Sequence, residues 1–397
     1  MKQSIFKLFE EFCTYLDNWE EKRDYYINEF LPQIFDYNFK GLNQRARQLF
    51  LDIWKQTSPD EWKDGINIIV QIKENPEDLK YENLNKVLKI FKDKYGFEGF
   101  VHSTNFDNFI RIMKSKELCS RDYLLKNGIS FSDIANQNIV TQQENLRKYV
   151  RFYFRCKTPT NYRNEGIKSE KSLNKKDIYI NINQEIKEEE NNKAHSAIPV
   201  ILIFDAEIAK NDNCRYKAQN RMNEQCKNSI FLLREYWDYI FENDSISFIN
   251  KNYKQFAKYK MAEFLYPEKI STNYIVKIIF RSICDKERAI QILGDNPLFE
   301  VNDSYFCNNY LYPKEYEYKN NILSIIYNFG ENLEKDNVTI NDYEHKVCLF
   351  KNDICIKEIS NFKFIYDNGQ ITIPQFINFD YLCYYINNIE CIRIYND

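Results

Sequence analysis

The chain has 397 residues, a net charge of -3 and 44% hydrophobic residues, which suits a globular protein of two or three domains. This slight acidity excludes a protein that is basic throughout, so any contact with a polyanion must be local. The eleven cysteines never form a C-x-x-C pair, which predicts reduced thiols without a zinc site. The longest apolar run, residues 198–204, is too short to cross a bilayer, and we expect a cytoplasmic protein with no membrane contact.

Several common kinds of site are absent from the sequence. None of the nine glycines forms the phosphate-binding pattern of a Rossmann fold or a P-loop. The three histidines are too few for a multi-histidine metal centre, and we expect no bound metal. Any chemistry must therefore use other combinations of polar side chains.

Residues 1–97 predict a helical N-terminal module. Phe6, Phe9 and Phe12 recur at helical spacing, and further helices are expected after Ser58-Pro59 and Asn75-Pro76. Nothing in this region is typical of a catalytic centre. We interpret it as a docking or stabilising module.

Residues 98–312 alternate between short strands and helices. Strands are expected at 99–103, 149–154, 198–204 and 273–280, and helices at 107–116, 229–242 and 285–293. The β-branched run at 198–204 is typical of a buried central strand. A polar segment at 163–197 has no core pattern, and we interpret it as a surface insertion with a short strand near 178–182.

Residues 313–397 predict a β-rich C-terminal module. Lys351-Asn352-Asp353 separates two alternating strands, and Asp367-Asn368-Gly369 is a strong turn signal between two more. Titratable residues do not cluster in this part of the sequence, so it suggests no reaction.

The first candidate site is the end of the strand at 99–103. His102 is followed at once by Ser103 and Thr104, which places three hydrogen-bonding side chains where a strand ends. Taken alone, a histidine among apolar residues is more often structural than ligand-binding.

Glu263 is the most informative carboxylate because its neighbours are Ala262, Phe264 and Leu265. The pattern fits either a helix with an aromatic face or a strand that begins near Ala262. A carboxylate in apolar surroundings needs a partner or a function. An ion pair with a nearby lysine is the competing explanation.

A local excess of positive charge begins at Arg147. Residues 147–176 contain ten basic and two acidic residues, and aromatic residues alternate with the cations at 149–155. Such a segment suits a single-stranded polyanion, whose phosphates meet cations and whose bases stack on rings. The candidates for binding nucleic acid are Arg147, Arg151, Arg155 and Lys157. A solvated charged loop is the alternative.

Taken in order, these motifs resemble the DarT family of nucleic-acid ADP-ribosyltransferase toxins. The resemblance covers about residues 98–312. It rests on the strand end at His102, the aromatic strand with a following proline and tyrosine, the W-D-x-I motif and the segment around the glutamate. The aromatic strand is Phe152-Tyr153-Phe154, followed by Pro159 and Tyr162. The W-D-x-I motif is Trp237-Asp238-Tyr239-Ile240, and the segment around the glutamate is Lys258 to Leu265.

The resemblance implies an α+β fold: an ADP-ribosyltransferase-like split mixed β-sheet core between the helical N-terminal module and the β-rich C-terminal extension. It implies NAD as the ADP-ribose donor, with Glu263 and Tyr153 catalytic. The implied NAD-binding residues are His102, Ser103, Thr104, Tyr153, Tyr162 and Asn138. A carboxylate against the ribose suits the positively charged transition state of this reaction.

One position departs from the family pattern. The family has an arginine where this sequence has Asn138. Three explanations are open: Arg147 or Arg151 supplies the charge from nearby, the target differs from that of the thymidine-modifying members, or the enzyme is weakened. We expect a toxin or anti-phage effector that modifies a base in single-stranded nucleic acid, more readily DNA than RNA, with a macrodomain or other antitoxin as partner. The alternatives are RNA or protein as the target of the same site, and an inactive protein that only binds nucleic acid or a partner.

Overall fold

The computed structural model describes most of the chain beyond residue 77. The described residues are 78–131, 144–169, 171, 177–180, 186–189, 196–219, 226–227, 229–230, 233, 236–241, 258–330, 338–365 and 367–396. The chain divides into two compact units, one of residues 1–97 and 227–238 and the other of residues 98–226 and 239–397. The helices predicted before residue 78 lie outside the described residues.

The described part of the first unit is built on helix α1, Asp78–Tyr95. Phe91 of this helix is fully buried and packs edge-on against Trp237, with ring centroids 4.9 Å apart. The carboxylate of Asp238 accepts hydrogen bonds from Lys94 Nζ at 2.8 Å and from the Tyr95 hydroxyl at 2.6 Å. These bonds fix the last turn of the helix. The boundaries of the three predicted modules stay a prediction.

The second unit contains a mixture of strands and helices up to residue 301. The strands are β1 Phe100–Asn105, β2 Glu117–Cys119, β3 Tyr149–Tyr153, β4 Asp177–Ile180, β5 Ile186–Glu189, β6 Pro199–Phe204, β7 Arg215–Lys217, β8 Glu263–Pro267, β9 Lys269–Ser271, β10 Ile275–Phe280 and β11 Phe299–Val301. The helices after α1 are α2 Phe106–Ser115, α3 Arg121–Lys126, α4 Pro159–Asn164, α5 Trp237–Phe241 and α6 Ile283–Leu293. The first two residues of α5 belong to the first unit.

Seven of these strands form one mixed sheet in the described residues, with the order β11-β10-β6-β1-β3-β8-β7. Within it β10 and β11 run parallel, and the other neighbours run antiparallel. Every residue of β6 is buried, which confirms the predicted central strand. Strands β1 and β6 are paired from Phe100 to Asn105, whereas β1 and β3 are paired only at Val101 and Tyr153. The sheet therefore opens beside β1, as the predicted split sheet requires.

One face of this sheet carries an aromatic core. Phe264 stacks on Phe100 with centroids 4.0 Å apart, and Phe152 meets Phe204 edge-on at 5.0 Å. Helix α2 covers the far side of the same core by packing Phe109 against the rings of β10 and β11. Burying a large aromatic ring contributes roughly 2–3 kcal/mol, so this layer stabilises strands β1, β3 and β8 in fixed register.

The turn into β1 requires a glycine. Gly99 has φ +149°, and a Cβ at this position would lie 2.2 Å from the carbonyl oxygen of Phe204. Only a residue without a side chain lets the chain pass so close to β6. Asn105 ends β1 and caps α2 by accepting the Asn108 N–H at 2.8 Å.

The C-terminal part forms two four-stranded antiparallel sheets. Their strands are β12 Tyr312–Lys319, β13 Ile322–Asn328, β14 His345–Lys351, β15 Ile354–Ile359, β16 Lys363–Ile365, β17 Asn368–Thr372, β18 Tyr381–Ile386 and β19 Ile389–Tyr395. The orders are β12-β13-β17-β16 and β15-β14-β18-β19, with a shared apolar core that includes Leu349 and Leu382. The hairpin at Asn352 and Asp353 is confirmed, and both residues have the positive φ of a tight turn. The second hairpin is present, but its predicted turn was wrong: Asn368 and Gly369 already pair with β16 as the start of β17, so the chain turns before Asn368.

Candidate active site

A single cross-strand row connects the central residues of the large sheet. Successive register pairs join Ile203 of β6, Val101 of β1, Tyr153 of β3, Glu263 of β8 and Lys217 of β7. Residues that face each other across neighbouring strands point to the same side of a sheet. The side chains of Tyr153, Glu263 and Lys217 therefore share the face opposite the aromatic core.

Glu263 is the first residue of β8, which resolves its two sequence interpretations in favour of the strand. Its side chain is 1% exposed, and its Oε1 atom accepts a hydrogen bond from Arg151 Nε at 2.9 Å and forms an ion pair with Arg151 Nη2 at 2.6 Å. The other oxygen, Oε2, is buried and has no hydrogen-bond partner among the described residues. The carboxylate is thus fixed by one oxygen and has unused acceptor capacity on the other.

Tyr153 lies beside this carboxylate in the same row. Burial raises the pKa of its hydroxyl, the charge of Glu263 raises it further, and the charge of Arg151 opposes the increase. The hydroxyl therefore stays protonated at neutral pH and also forms a hydrogen bond with Thr160 of α4. Helix α4 is positioned by Thr158, which accepts the Asn161 N–H at 3.2 Å.

His102 lies at the point where β1 and β3 separate. Its Nδ1 is 3.0 Å from the carbonyl oxygen of Arg151, so Nδ1 carries the proton and Nε2 is an acceptor in the neutral ring. Burial lowers the pKa of His102, and the hydrogen bond to the carbonyl opposes the shift. The ring packs edge-on against Phe152, with centroids 5.9 Å apart. Arg151 thus holds His102 with its backbone and Glu263 with its side chain.

The other predicted NAD-binding residues are more dispersed. Ser103 is half-buried beside Ile201, and Thr104 is buried with its carbonyl accepting from Ser196 Oγ at 3.4 Å. Tyr162 is half-buried on α4, where its carbonyl accepts from Asn309 Nδ2 at 2.9 Å. Asn138 lies outside the described residues. The roles of these residues in NAD binding stay predictions.

Three of the four basic residues assigned to nucleic acid form contacts within the protein. Arg147 pairs with Asp122 at 3.1 Å, and Arg151 pairs with Glu263. Arg155 donates to the carbonyl oxygens of Cys156 at 3.1 Å and Ile240 at 3.4 Å. Lys157 is exposed to solvent. Their contacts to nucleic acid stay predictions, with Lys157 the most accessible of the four.

Sequence reasoning missed Lys217. Its side chain is fully buried, and it faces Glu263 from the strand on the side away from Tyr153. The segment Arg215-Tyr216-Lys217 is a strand of three residues, too short for an alternating pattern to mark. No signal in the sequence links it to residue 263.

A family model for DarT, described as ssDNA thymidine ADP-ribosyltransferase, matches residues 101–307. This match covers 207 of the 397 residues, which is more than half of the chain. The chain belongs to the DarT family. The family predicted from the sequence is therefore confirmed, and with it the α+β fold, the ADP-ribosyltransferase class and NAD as the donor.

Solved structures with similar coordinates include Thermus sp. 2.9 DarT in complex with ADP-ribosylated ssDNA, at 16% identity and TM-score 0.39, over 52% of this chain and 95% of that one. Another is Thermus sp. 2.9 DarT in complex with NAD+, at 16% identity and TM-score 0.37; the match covers 52% of this chain and 96% of that chain. A third is Thermosipho africanus DarTG in complex with ADP-ribose, at 14% identity and TM-score 0.38; the match covers 57% of this chain and 54% of that chain. No curated protein matches the chain. The family assignment rests on the family model alone.

Within the described residues, no helix combines the length and the apolar character needed to cross a bilayer.

Proposed function

We propose that this protein transfers ADP-ribose from NAD to a base of single-stranded DNA, with Glu263 as the catalytic carboxylate. The observation that carries the proposal is the state of that carboxylate. Arg151 fixes Oε1, while Oε2 is buried without a hydrogen-bond partner among the described residues. An unsatisfied buried oxygen is costly unless a ligand supplies its partner.

The geometry suits cleavage of the bond between nicotinamide and ribose. As this bond breaks, its electron pair leaves with nicotinamide and positive charge develops on the ribose. Oε2 of Glu263 is able to accept a hydrogen bond from a ribose hydroxyl, and the carboxylate charge stabilises the developing cation. Tyr153, neutral at neutral pH, lies beside it as a wall of the same site.

The acceptor in this reaction is a base nitrogen. Thymine, the base in the family description, has one ring N–H, which must lose its proton as the new bond to the ribose forms. The same carboxylate is suited to accept that proton and release it to water. One group thereby serves both the cleavage and the transfer.

Arg151 is our candidate to replace the charge of the family arginine. Its guanidinium donates a hydrogen bond to Oε1 of Glu263 and forms an ion pair with it. Arg151 is two residues before Tyr153 on β3, so the two side chains share one face of the strand. A retained glutamate with a charge partner argues against the inactive alternative, because an inert descendant has no reason to keep a buried carboxylate.

The proposal is tested with labelled NAD and four acceptors: a single strand of DNA containing thymine, a strand lacking thymine, an RNA strand and a cell lysate. We expect label on the first strand alone, and a loss of labelling for Glu263→Ala. Label on RNA or on lysate proteins would establish one of the alternative targets. Label on no acceptor, with wild type and Glu263→Ala alike, would contradict an active enzyme.

We further propose that the protein acts as a toxin in the cytoplasm and is opposed by an antitoxin with a macrodomain. The support is the family itself, since DarT is the toxin of toxin-antitoxin pairs in the resemblance described above. Co-expression of a macrodomain protein should restore growth to cells that produce this chain. Growth that is equally poor with and without the macrodomain would contradict this partner.

A further inference from the structure

Helix α4 contacts the proposed active site and is too short to hold its own position. It has six residues, whereas an isolated helix is marginal below about 12–15 residues. Thr160 of this helix forms a hydrogen bond with the Tyr153 hydroxyl, and Tyr162 is a residue predicted to line the NAD site. Contacts from the rest of the protein must therefore fix α4.

The carbonyl groups at the end of α4 need donors from outside the helix, because the last carbonyls of any helix have no intrahelical N–H. The Gly166 N–H, which would reach the Tyr162 carbonyl in a continued helix, donates instead to the Ser196 carbonyl at 2.8 Å. Asn309 Nδ2 takes its place and donates to the Tyr162 carbonyl at 2.9 Å. Asn309 is 3% exposed, so water has little access to replace this bond.

Asn309 belongs to a connector, residues 306–311, that joins the turn after β11 to β12. The connector makes a second bond to the same end of the helix, because the Cys307 N–H donates to Glu165 Oε2 at 2.7 Å. Glu165 directly follows α4 and is 1% exposed. Two hydrogen bonds thus join the connector to the last turn of α4 and to the residue that ends it.

The C-terminal sheets pack against the connector and against the segment that leaves α4. A Cβ at Gly330, just after β13, would lie 2.0 Å from the carbonyl carbon of Asn309, so the two backbones are in direct contact. Ile167 is fully buried in the core of these sheets and pairs with Leu311 of the connector. The position of α4 therefore depends on the sheets that follow it in the sequence.

We propose that Asn309 is a positioning residue for NAD binding: it fixes Tyr162 through the backbone of α4, and the C-terminal sheets fix Asn309. This inference rests on the function proposed above and on the predicted role of Tyr162. It assigns Asn309 no contact with the reacting atoms. Asn309 and the C-terminal sheets lie beyond residues 101–307, which the family model matches, so the proposal extends the NAD site past the family domain.

The test compares wild type, Asn309→Ala and the matched control Asn387→Gly, all as full-length proteins. Asn387 Nδ2 donates to the carbonyl oxygen of Lys168 at 3.0 Å, so it makes the same kind of bond beyond the end of α4. Glycine is chosen there because Asn387 has φ +49°, at which alanine is strained. The measurements are the Kd for a carbocyclic NAD analogue that cannot be cleaved, KM and kcat for NAD, and the melting temperature.

For Asn309→Ala we expect Kd for the analogue and KM for NAD to rise about fivefold, the usual contribution of one hydrogen bond. The value of kcat should change less than about twofold, since the end of α4 that carries Thr160 keeps its cap from Thr158. Asn387→Gly should lower the melting temperature without changing Kd or KM. A purely structural asparagine at position 309 would behave like this control.

A double variant tests whether Asn309 acts through Tyr162. Tyr162→Ala should also raise Kd for the analogue, and adding Asn309→Ala should raise it no further, because the ring to be positioned is gone. Additive effects of the two substitutions would overturn the proposal. So would a folded Asn309→Ala that binds the analogue as tightly as wild type.

If Asn309→Ala does not fold, Asn309→Leu replaces it, because leucine fills the same space without a donor, and the same rise in Kd is expected. A wild-type protein that neither binds the analogue nor labels DNA would contradict the proposed function instead. The two failures are therefore distinguishable.

Discussion

Two buried polar clusters in this protein have opposite characters. The cluster at Glu263 is charged, and one of its carboxylate oxygens has no partner among the described residues. The cluster in the C-terminal sheets, which we call the His345 network, consists of His345, Tyr384 and Tyr327. It is neutral, and every polar side-chain atom in it has a partner.

The hydrogen bonds of the His345 network run in one direction. His345 Nε2 is 3.0 Å from the carbonyl oxygen of Ile340, so this nitrogen carries the proton. Nδ1 then accepts from the Tyr384 hydroxyl at 2.6 Å, and the Tyr384 oxygen accepts from the Tyr327 hydroxyl at 2.7 Å. Burial lowers the pKa of His345 to about 4 and raises that of both tyrosines.

The comparison distinguishes a buried polar cluster that only stabilises the fold from one that is suited to binding a ligand. A complete neutral network fixes one packing of the core and offers a ligand nothing to bind. A charged group with unused acceptor capacity is tolerated where a ligand completes it. The predictions below test whether the two clusters divide function and stability in this way.

The largest effect is expected for Glu263→Gln. Glutamine keeps the shape of the side chain and still accepts from Arg151, but it lacks the charge that we propose stabilises the ribose cation. Transfer of label to DNA should fall about 100-fold or more, roughly 3 kcal/mol of transition-state stabilisation. The melting temperature should change by only a few degrees. A variant that keeps near wild-type activity would remove Glu263 from the mechanism.

The next largest effect is the loss of stability at low pH that follows from protonation of His345. Its pKa is about 4 in the folded protein, below its ordinary value of 6.5, so the unfolded chain binds the proton first as pH falls. Stability should therefore be complete above pH 6.5 and decline toward pH 4, with a loss of about 2 kcal/mol between pH 7 and pH 5. Urea unfolding at the two pH values measures this loss.

The control for this experiment is His345→Phe, which cannot titrate. The stability of this variant should lack the pH dependence that His345 contributes. At pH 7 it should be less stable than wild type by about 1–3 kcal/mol, because the Ile340 carbonyl and the Tyr384 hydroxyl lose a partner. His102, whose pKa burial also lowers, contributes equally in both proteins. The same pH dependence in both proteins would show that His345 is not the group responsible.

The smallest effect is expected for Tyr327→Phe. This change removes the hydroxyl at the end of the network, while Tyr384 still donates to His345. Stability should fall by about 1 kcal/mol, the usual net value of one hydrogen bond, with no change in kcat. A loss of transfer activity in this folded variant would contradict the separation of the two clusters.

The sequence alone predicted the longer strands and helices of the described residues, but not the short strands β2, β7 and β9. The β-branched run at 198–204 indicated a buried strand because such side chains favour a pleated, enclosed surface, and the structure buries all of β6. The asparagine-rich hairpin at Asn352 and Asp353 was predicted because these residues adopt positive φ at low cost. Family membership followed from motifs whose order along the chain needs no knowledge of contacts.

The partners of the charged side chains were decided by tertiary structure. Arg151 belonged to a basic segment suited to phosphates, yet pairing between β3 and β8 places its guanidinium on Glu263, 112 residues away in the chain. Lys217 gave no signal until β7 paired with β8. Local sequence determines which segments become strands, because backbone preferences and alternation act over a few residues. Which charges meet depends on strand order and register, and only the folded sheet determines these.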